Sequence, residues 1–344
     1  MRYRIAFMSV LVCALAACGD PASPVGPSAS ETLSPSGDGA ATRVAATAEV
    51  LVSDLGSAQG STVGPGGALF VTVPAAGEIV RIDPKTGAVT TFASGLPLAS
   101  LGPGSGAVDV AFIGGTAYVL VTGVAPDVGG SDVNGIYRID SPTSFTVVAD
   151  IGAWSTANPP TTPYEALSGF QYALETFRGG FLVTDGHHNR VLEVGRDGEI
   201  TQMIQLGDIV PTGLAVSGNT VYLALAGPIP HLPQDGKVVT IRPGSTTVTQ
   251  IAAGAPLLVD VEFGRGRTLY ALSQGVWDAV FPGDPANPNT GALVQVNADG
   301  TLTVLYSGLN RPTSVEIIGN TAYVVTLGGE VWTVADIAGP PYGR

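Results

Sequence analysis

The chain contains three histidines, and two of them, His187 and His188, stand side by side in the stretch GGFLVTDGHHNRVLEVG. Imidazole titrates near neutral pH, so such a pair could serve as a general base or ligate a metal. Two aspartates offer a second chemistry. Asp109 in VDVAF and Asp260 in VDVEF occupy the same place in two copies of one pattern. A calcium ion, which takes several carboxylate, carbonyl and water oxygens, could lie between them. Both patterns also have a structural reading. DGHHNR reads as a polar turn with Asp185 and Asn189 as turn formers, and each aspartate could accept backbone N–H groups from a neighbouring unit. No Gly-x-Ser-x-Gly nucleophile elbow is present.

Those side chains need a scaffold, and repetition in the sequence supplies one. Short β-type runs alternate with Gly, Pro, Asn and Asp turns, without a sustained helical period. An apolar second strand recurs six times: ALFVTV from 68, TAYVLV from 116, GFLVTD from 180, TVYLAL from 220, TLYALS from 268 and TAYVVT from 321. Each is followed by a third strand, from EIVRID at 78 to EVWTVA at 330. A period of about 40 to 64 residues suits one four-stranded propeller blade per repeat, with the surplus in loops. The last copy stops after its third strand, whereas TAEVLVSDL at 47–55 is a fourth strand without a blade. Joining the two hides the open edges. The expected fold class is therefore all-β, a six-bladed β-propeller closed by an N-terminal strand that completes the last blade. An eight-stranded or double barrel is the alternative.

In such a blade the second-to-third loops and the blade-to-blade connections share one face, here called the top. The long insertions are of these kinds: GVAPDVGGSDVNG, GAWSTANPPTTPYEALSG (152–169), AGPIPHLPQDGK and SQGVWDAVFPGDPANPNTG. The bottom turns, such as RGG and IGN, are minimal. Long loops on a compact domain usually carry function, so the top face gathers Trp154, Tyr164, His187, His188, His231, Trp277 and Phe281 as candidates for a ligand pocket. Aligning the first strands places Gln59, Asp109, Tyr172, Thr212, Asp260 and Thr313 near the upper rim of a central channel. Asp109 and Asp260 are the candidate metal ligands there, with Ca2+ as the candidate ion.

Of the 344 residues, 45% are hydrophobic and 12% charged, with a net charge of −13. A large core is available, and no basic run offers phosphate contacts, so nucleic acid is not an expected partner. Residues 1–18, MRYRIAFMSVLVCALAAC, put Arg2 and Arg4 before an apolar stretch too short to span a bilayer. They end in Leu15-Ala16-Ala17-Cys18, which is similar to a bacterial lipobox with Cys18 as the lipidated residue. Residues 19–45 are rich in Pro, Gly, Ser and Ala and read as a disordered tether of roughly 30 Å end to end. The propeller is expected over 46–344. Localisation follows as extracytoplasmic, lipid-anchored to a bacterial membrane. With Cys13 in the removed segment no disulfide is expected, and a monomer is expected because no heptad pattern argues for more.

The stretches VPTGLAVSGNTVYLALAGPIPHLPQDGKVVTI (210–241), VDVAF (108–112), DVEFGRGRTLYALS (260–273) and TGALVQVNADGTLTVLYSGLNRPTSVEI (290–317) resemble the ScyD/ScyE family of NHL-like propellers. The resemblance covers about 47–335. Val108 stands where the family tends to have histidine, and FQYA at 170–173 stands where it has Asn-Pro-Tyr-Gly, with Tyr172 matching the tyrosine. The resemblance implies a secreted or anchored propeller and carries over no catalytic set. The function expected is a binding or scaffold module that presents its top-face loops to a small molecule, glycan or protein. The alternative is a metal-dependent hydrolase or lactonase resembling gluconolactonase and strictosidine-synthase-like propellers, with Asp109 and Asp260 as ligands and His187 or His188 as base. A lyase similar to the streptogramin-inactivating propellers is a third reading, resting on DGHHNR alone.

Overall fold

Alternating side-chain direction along a strand lets one run bury both faces when sheets stand side by side. The second strands use this fully: Leu69–Val73 and Leu269–Ser273 are buried at every position. A computed structural model describes residues 46–102, 104–279 and 283–339. It contains six four-stranded antiparallel sheets, five of them in simple chain order. The sixth is made from both ends of the described chain. Pro312–Ile318, Thr321–Thr326 and Val331–Ala335 are joined by Thr47–Val52, with Thr47 opposite Ala335. The chain is a six-bladed β-propeller whose ring is closed by its N-terminal strand.

The innermost strands are Ser61–Val63, Gly106–Ile113, Gln171–Phe177, Pro211–Ser217, Leu258–Phe263 and Pro312–Ile318. Each touches the next, and the last touches the first. Blades 1 to 6 are numbered in that order. The core is correspondingly divided into six apolar clusters, one per blade-to-blade seam. The aromatic near the start of the second strand is a recurrent seam filler. Phe70 of blade 1 meets Phe112 of blade 2 at 4.6 Å between centroids, and Tyr222 of blade 4 meets Phe263 of blade 5 at 4.9 Å. Such pairs add about 0.5–1.5 kcal/mol to the area they bury.

One departure from the sequence reading lies in the 152–169 connection. Ile151–Ala157 is a short α-helix, with the Asp150 carboxylate accepting from Ala153 N at 2.8 Å. Seven residues are too few to display a helical period, and the cap is the local signal that was there to read. Because strands alternate in direction, Ala46 enters the last blade at the bottom, and the second-to-third loops and blade connections lie at the top.

Candidate functional site

Asp109 and Asp260 share one register on their inner strands, opposite Leu120 and Leu272. The Asp109 carboxylate accepts from its neighbour Val110 N at 2.8 Å and from Leu174 N of the following blade at 2.7 Å. Asp260 repeats this with Val261 N and Val315 N, both at 2.8 Å. The preceding blade makes room in each case. A Cβ on Gly60 would lie 2.3 Å from Asp109 Oδ1, and one on Gly213 would lie 2.4 Å from Asp260 Oδ1. Blades 2 and 5 oppose each other in a six-bladed ring, so the two units form an approximate two-fold pair.

This geometry gives Asp109 and Asp260, the expected calcium ligands, a structural task of their own. Both oxygens of each carboxylate accept from backbone donors in the blade seams. Among the described residues no group of three or more His, Cys, Asp or Glu side chains is placed to hold a metal ion. The aspartates act as blade-to-blade latches. Thr212 and Thr313 do similar work. Thr212 Oγ1 donates to Leu258 O at 2.9 Å and Thr313 Oγ1 donates to Gln59 O at 2.7 Å, so both hydroxyl protons are spent across blade seams. Gln59 keeps a buried Nε2 without a hydrogen-bond partner among the described residues.

Two residues further along a strand the same face recurs, and there the sequence reading missed three acids. Glu175, Glu262 and Glu316 lie opposite Leu182, Tyr270 and Tyr323 at one level of the inner ring. Together with the aspartates they bring five partly exposed carboxyls to the channel. Burial holds all five above the usual carboxylate range. Asp260 is pushed up to about 7 by burial, against the pull of its backbone donors. Glu262 is pushed up to about 8 by burial and then by the Asp260 charge, and Glu316 is raised by burial and then by Glu262. The period-two spacing in VDVEF was the available signal.

The two adjacent histidines go in opposite directions. His188 is fully buried: Nε2 lies 2.8 Å from Ala166 O, while Nδ1 lies 3.0 Å from Asp185 Oδ2 and 2.9 Å from Arg190 Nη2. A carbonyl only accepts, so Nε2 carries the proton that it donates. His188 is therefore unavailable as a general base or ligand, contrary to the sequence expectation. Its turn is organised by Asp185, which is no turn former but the hub of a buried network. Asp185 accepts from Arg190 Nε at 2.9 Å and Gln171 Nε2 at 2.9 Å, and Arg190 Nη1 and Nη2 donate to Asn158 O and Ser155 Oγ. Trp154, half-buried, lies 4.8 Å from the same guanidinium and so clamps the short helix to blade 3. Asn189 does form the turn, at φ 55°, and its Oδ1 accepts from Ile209 and Val210 N.

His187 turns toward the start of its blade's inner strand. Its Nε2 lies 2.8 Å from Tyr172 OH, with Phe170 at 4.9 Å, and burial lowers its pKa from the ordinary imidazole value. Tyr172 fits there because position 186 is glycine: a Cβ would lie 2.3 Å from its ring. Burial raises the phenol and disfavours its ionisation, so the pair is a neutral donor and acceptor at pH 7. His231 is held by Gly227 O at 2.8 Å and meets Trp277 edge-on at 5.5 Å. Trp277 is 8% exposed and fills a small core beneath the top loops, so it supports the rim and does not line it. Tyr164 remains exposed, edge-on to His188 at 5.2 Å. Phe281 lies outside the described residues, as does Cys18.

The two faces differ in charge. Among the described residues the exposed top-face acids are Asp54, Asp127, Asp132, Asp150, Glu165, Asp208 and Asp278, and no exposed lysine or arginine accompanies them. Lys237 and Arg311 at the top are half-buried. Lys85, Arg178, Arg196, Arg242, Arg265 and Arg267, the exposed bases, are all on bottom turns, where exposed acids such as Asp197 and Asp299 balance them. Exposed Leu98, Leu101, Tyr164, Leu167, Ile229, Leu232 and Val276 also belong to top loops.

No protein-family model matches the chain, and no curated protein matches it. Solved structures do. A gluconolactonase from Xanthomonas campestris aligns at 13% identity and TM-score 0.59, over 84% of this chain and 89% of that one. The PQQ-bound aldose sugar dehydrogenase of Streptomyces coelicolor aligns at 14% identity and TM-score 0.57, over 84% and 98%. A virginiamycin B lyase of Staphylococcus aureus with quinupristin aligns at 13% identity and TM-score 0.54, over 84% and 98%. Identities this low speak for architecture alone. This chain is a six-bladed β-propeller similar in fold to lactonases, lyases and sugar dehydrogenases.

Proposed function

We propose that this chain is a membrane-anchored, extracytoplasmic propeller of the ScyD/ScyE type that binds a ligand at the channel mouth of its top face. The observation that carries this reading is the inequality of the two faces. The bottom is closed by minimal turns, whereas the top bears the long loops, the exposed apolar side chains and the neutral Tyr172–His187 pair. The described chain begins at the bottom, with Ala46, on the face opposite the long loops. The ligand is a small molecule, glycan or protein that offers a polar group to the Tyr172–His187 pair. A metal-dependent hydrolase draws support only from the fold likeness, because Asp109 and Asp260 are committed to backbone donors.

The test is a ligand screen on the full chain, followed by Tyr172→Phe and His187→Ala. Loss of a charge-neutral hydrogen bond at the mouth weakens a bound ligand about tenfold, while Arg267→Ala at the bottom leaves it unchanged. Equal binding by both top-face variants would sink the reading. The mass of the N-terminal fragment checks the anchor separately: acyl chains on Cys18, absent in Cys18→Ala, are the expected result.

A further inference from the structure

A second feature of the top face lies away from the channel mouth. A groove of 530 Å³ runs between the connector 95–100, which leads from blade 1 to blade 2, and the loop 124–132 of blade 2. Leu98 and the half-buried Phe145 give it apolar contact surface, packed over the buried Leu96 and Val124, and Asp132 is its single charged wall residue. Leu98 is 58% exposed. Exposure of an apolar residue beside a concave surface is informative, since isolated surface leucines need no explanation but grouped ones mark contact sites.

Both walls are held in place without a ligand. Leu96 N donates to Gly77 O at 3.0 Å, Ser100 Oγ to Gly123 O at 2.8 Å, Gly130 N to Ala125 O at 3.0 Å and Asp132 N to Val124 O at 3.0 Å. A pre-formed groove loses little freedom on binding. Its surroundings are of one sign: Asp127 stands in the same loop, and the exposed charges of the whole top face are acidic. An acidic field disfavours anionic and favours cationic partners.

We propose that this groove docks a short cationic, amphipathic segment of a partner polypeptide. Apolar side chains of the segment lie against Leu98 and Phe145, and a lysine or arginine meets Asp132. The proposal rests on the reading of the top face as the binding face and deepens it by giving the partner's chemistry.

The probe is a fluorescein-labelled peptide of leucine and lysine in helical amphipathic order, titrated into the full chain beside its leucine–glutamate and leucine–glutamine counterparts. The lysine peptide should bind, and raising salt from about 0.1 M to about 1 M, which shortens the Debye length from about 10 Å to about 3 Å, should weaken it strongly. Asp132→Lys and Leu98→Ser should each weaken it about tenfold, with unchanged melting temperature showing that both exposed sites tolerate the change. Asp278→Lys, on the far side of the ring, should cost much less than Asp132→Lys. Equal affinity for the three peptides, or wild-type affinity in Asp132→Lys and Leu98→Ser, overturns the groove. The ligand screen with His187→Ala reads the channel mouth independently, so a failed groove leaves that result standing, and a failed channel mouth leaves this one.

Discussion

His187 and His188 are neighbours in the chain and have nothing in common in the structure, whereas Asp109 and Asp260, half a ring apart, are nearly interchangeable. One imidazole bonds Tyr172 at the start of the inner strand, and the other is sealed between Asp185, Arg190 and Ala166 O. The two aspartates, by contrast, meet the same set of partners: a glycine before, a backbone N–H after. Position within the ring decides a side chain's task, because adjacent residues in a turn diverge while equivalent residues on inner strands converge.

The largest effect is expected where the buried network of blade 3 is broken. Asp185→Ala leaves the Arg190 guanidinium buried without its carboxylate, a loss of about 3–5 kcal/mol. Denaturant unfolding should show it as a fall in midpoint at constant m-value. A change within experimental error would mean that the network is not what ties the 152–169 connection to its blade.

The two-fold relation of the aspartates is sharpened by Gly60→Ala and Gly213→Ala. Each adds a methyl group against an aspartate that has no room to retreat, at a cost of about 1–3 kcal/mol. Similar losses in the two variants are expected. A loss confined to one would break the equivalence of blades 2 and 5.

The smallest effect concerns the channel acids. Carboxyls in an unfolded chain titrate near about pH 4, whereas burial holds Asp260 at about 7 and Glu262 at about 8. Between those limits the folded chain carries more protons than the unfolded one. Their contribution to stability is therefore complete below about pH 4 and is lost as pH rises through 7 to 8. His187 and His231, whose pKa values burial lowers, act in the opposite sense on the acid side of the imidazole range. Glu262→Gln with Glu316→Gln separates the two: melting temperature followed from weakly acidic to weakly alkaline pH should decline less steeply in the double variant. An unchanged slope would show that these glutamates do not share the channel's protons.

Much of the architecture was legible in local sequence. The recurring second strands, from ALFVTV to TAYVVT, and the spare strand TAEVLV report their own pairing, because short apolar β-branched runs bounded by Gly and Asn turns are properties of a few consecutive residues. The site was legible only in its position. Tyr172 and His187 were both placed at the top, but their 2.8 Å contact was not readable. Nor was the removal of His188 and Trp277 from the rim, since each depends on a packing partner from a separate loop. Glu175, Glu262 and Glu316 were visible in register with the aspartates and would have emerged from following the same strand face one step further.

The sequence by itself determined six blades, the closing strand and the division into a long-looped and a short-turned face, all of which follow from local periodicity and turn chemistry repeated along the chain. Only the tertiary structure decided that Asp109 and Asp260 latch blades, that His187 and not His188 bonds Tyr172, and that the exposed bases collect at the bottom. The physical reason is closure. Joining Thr47–Val52 to Val331–Ala335 sets the register of all six inner strands against one another, and it is that shared register, across long separations in sequence, that chooses which polar groups meet.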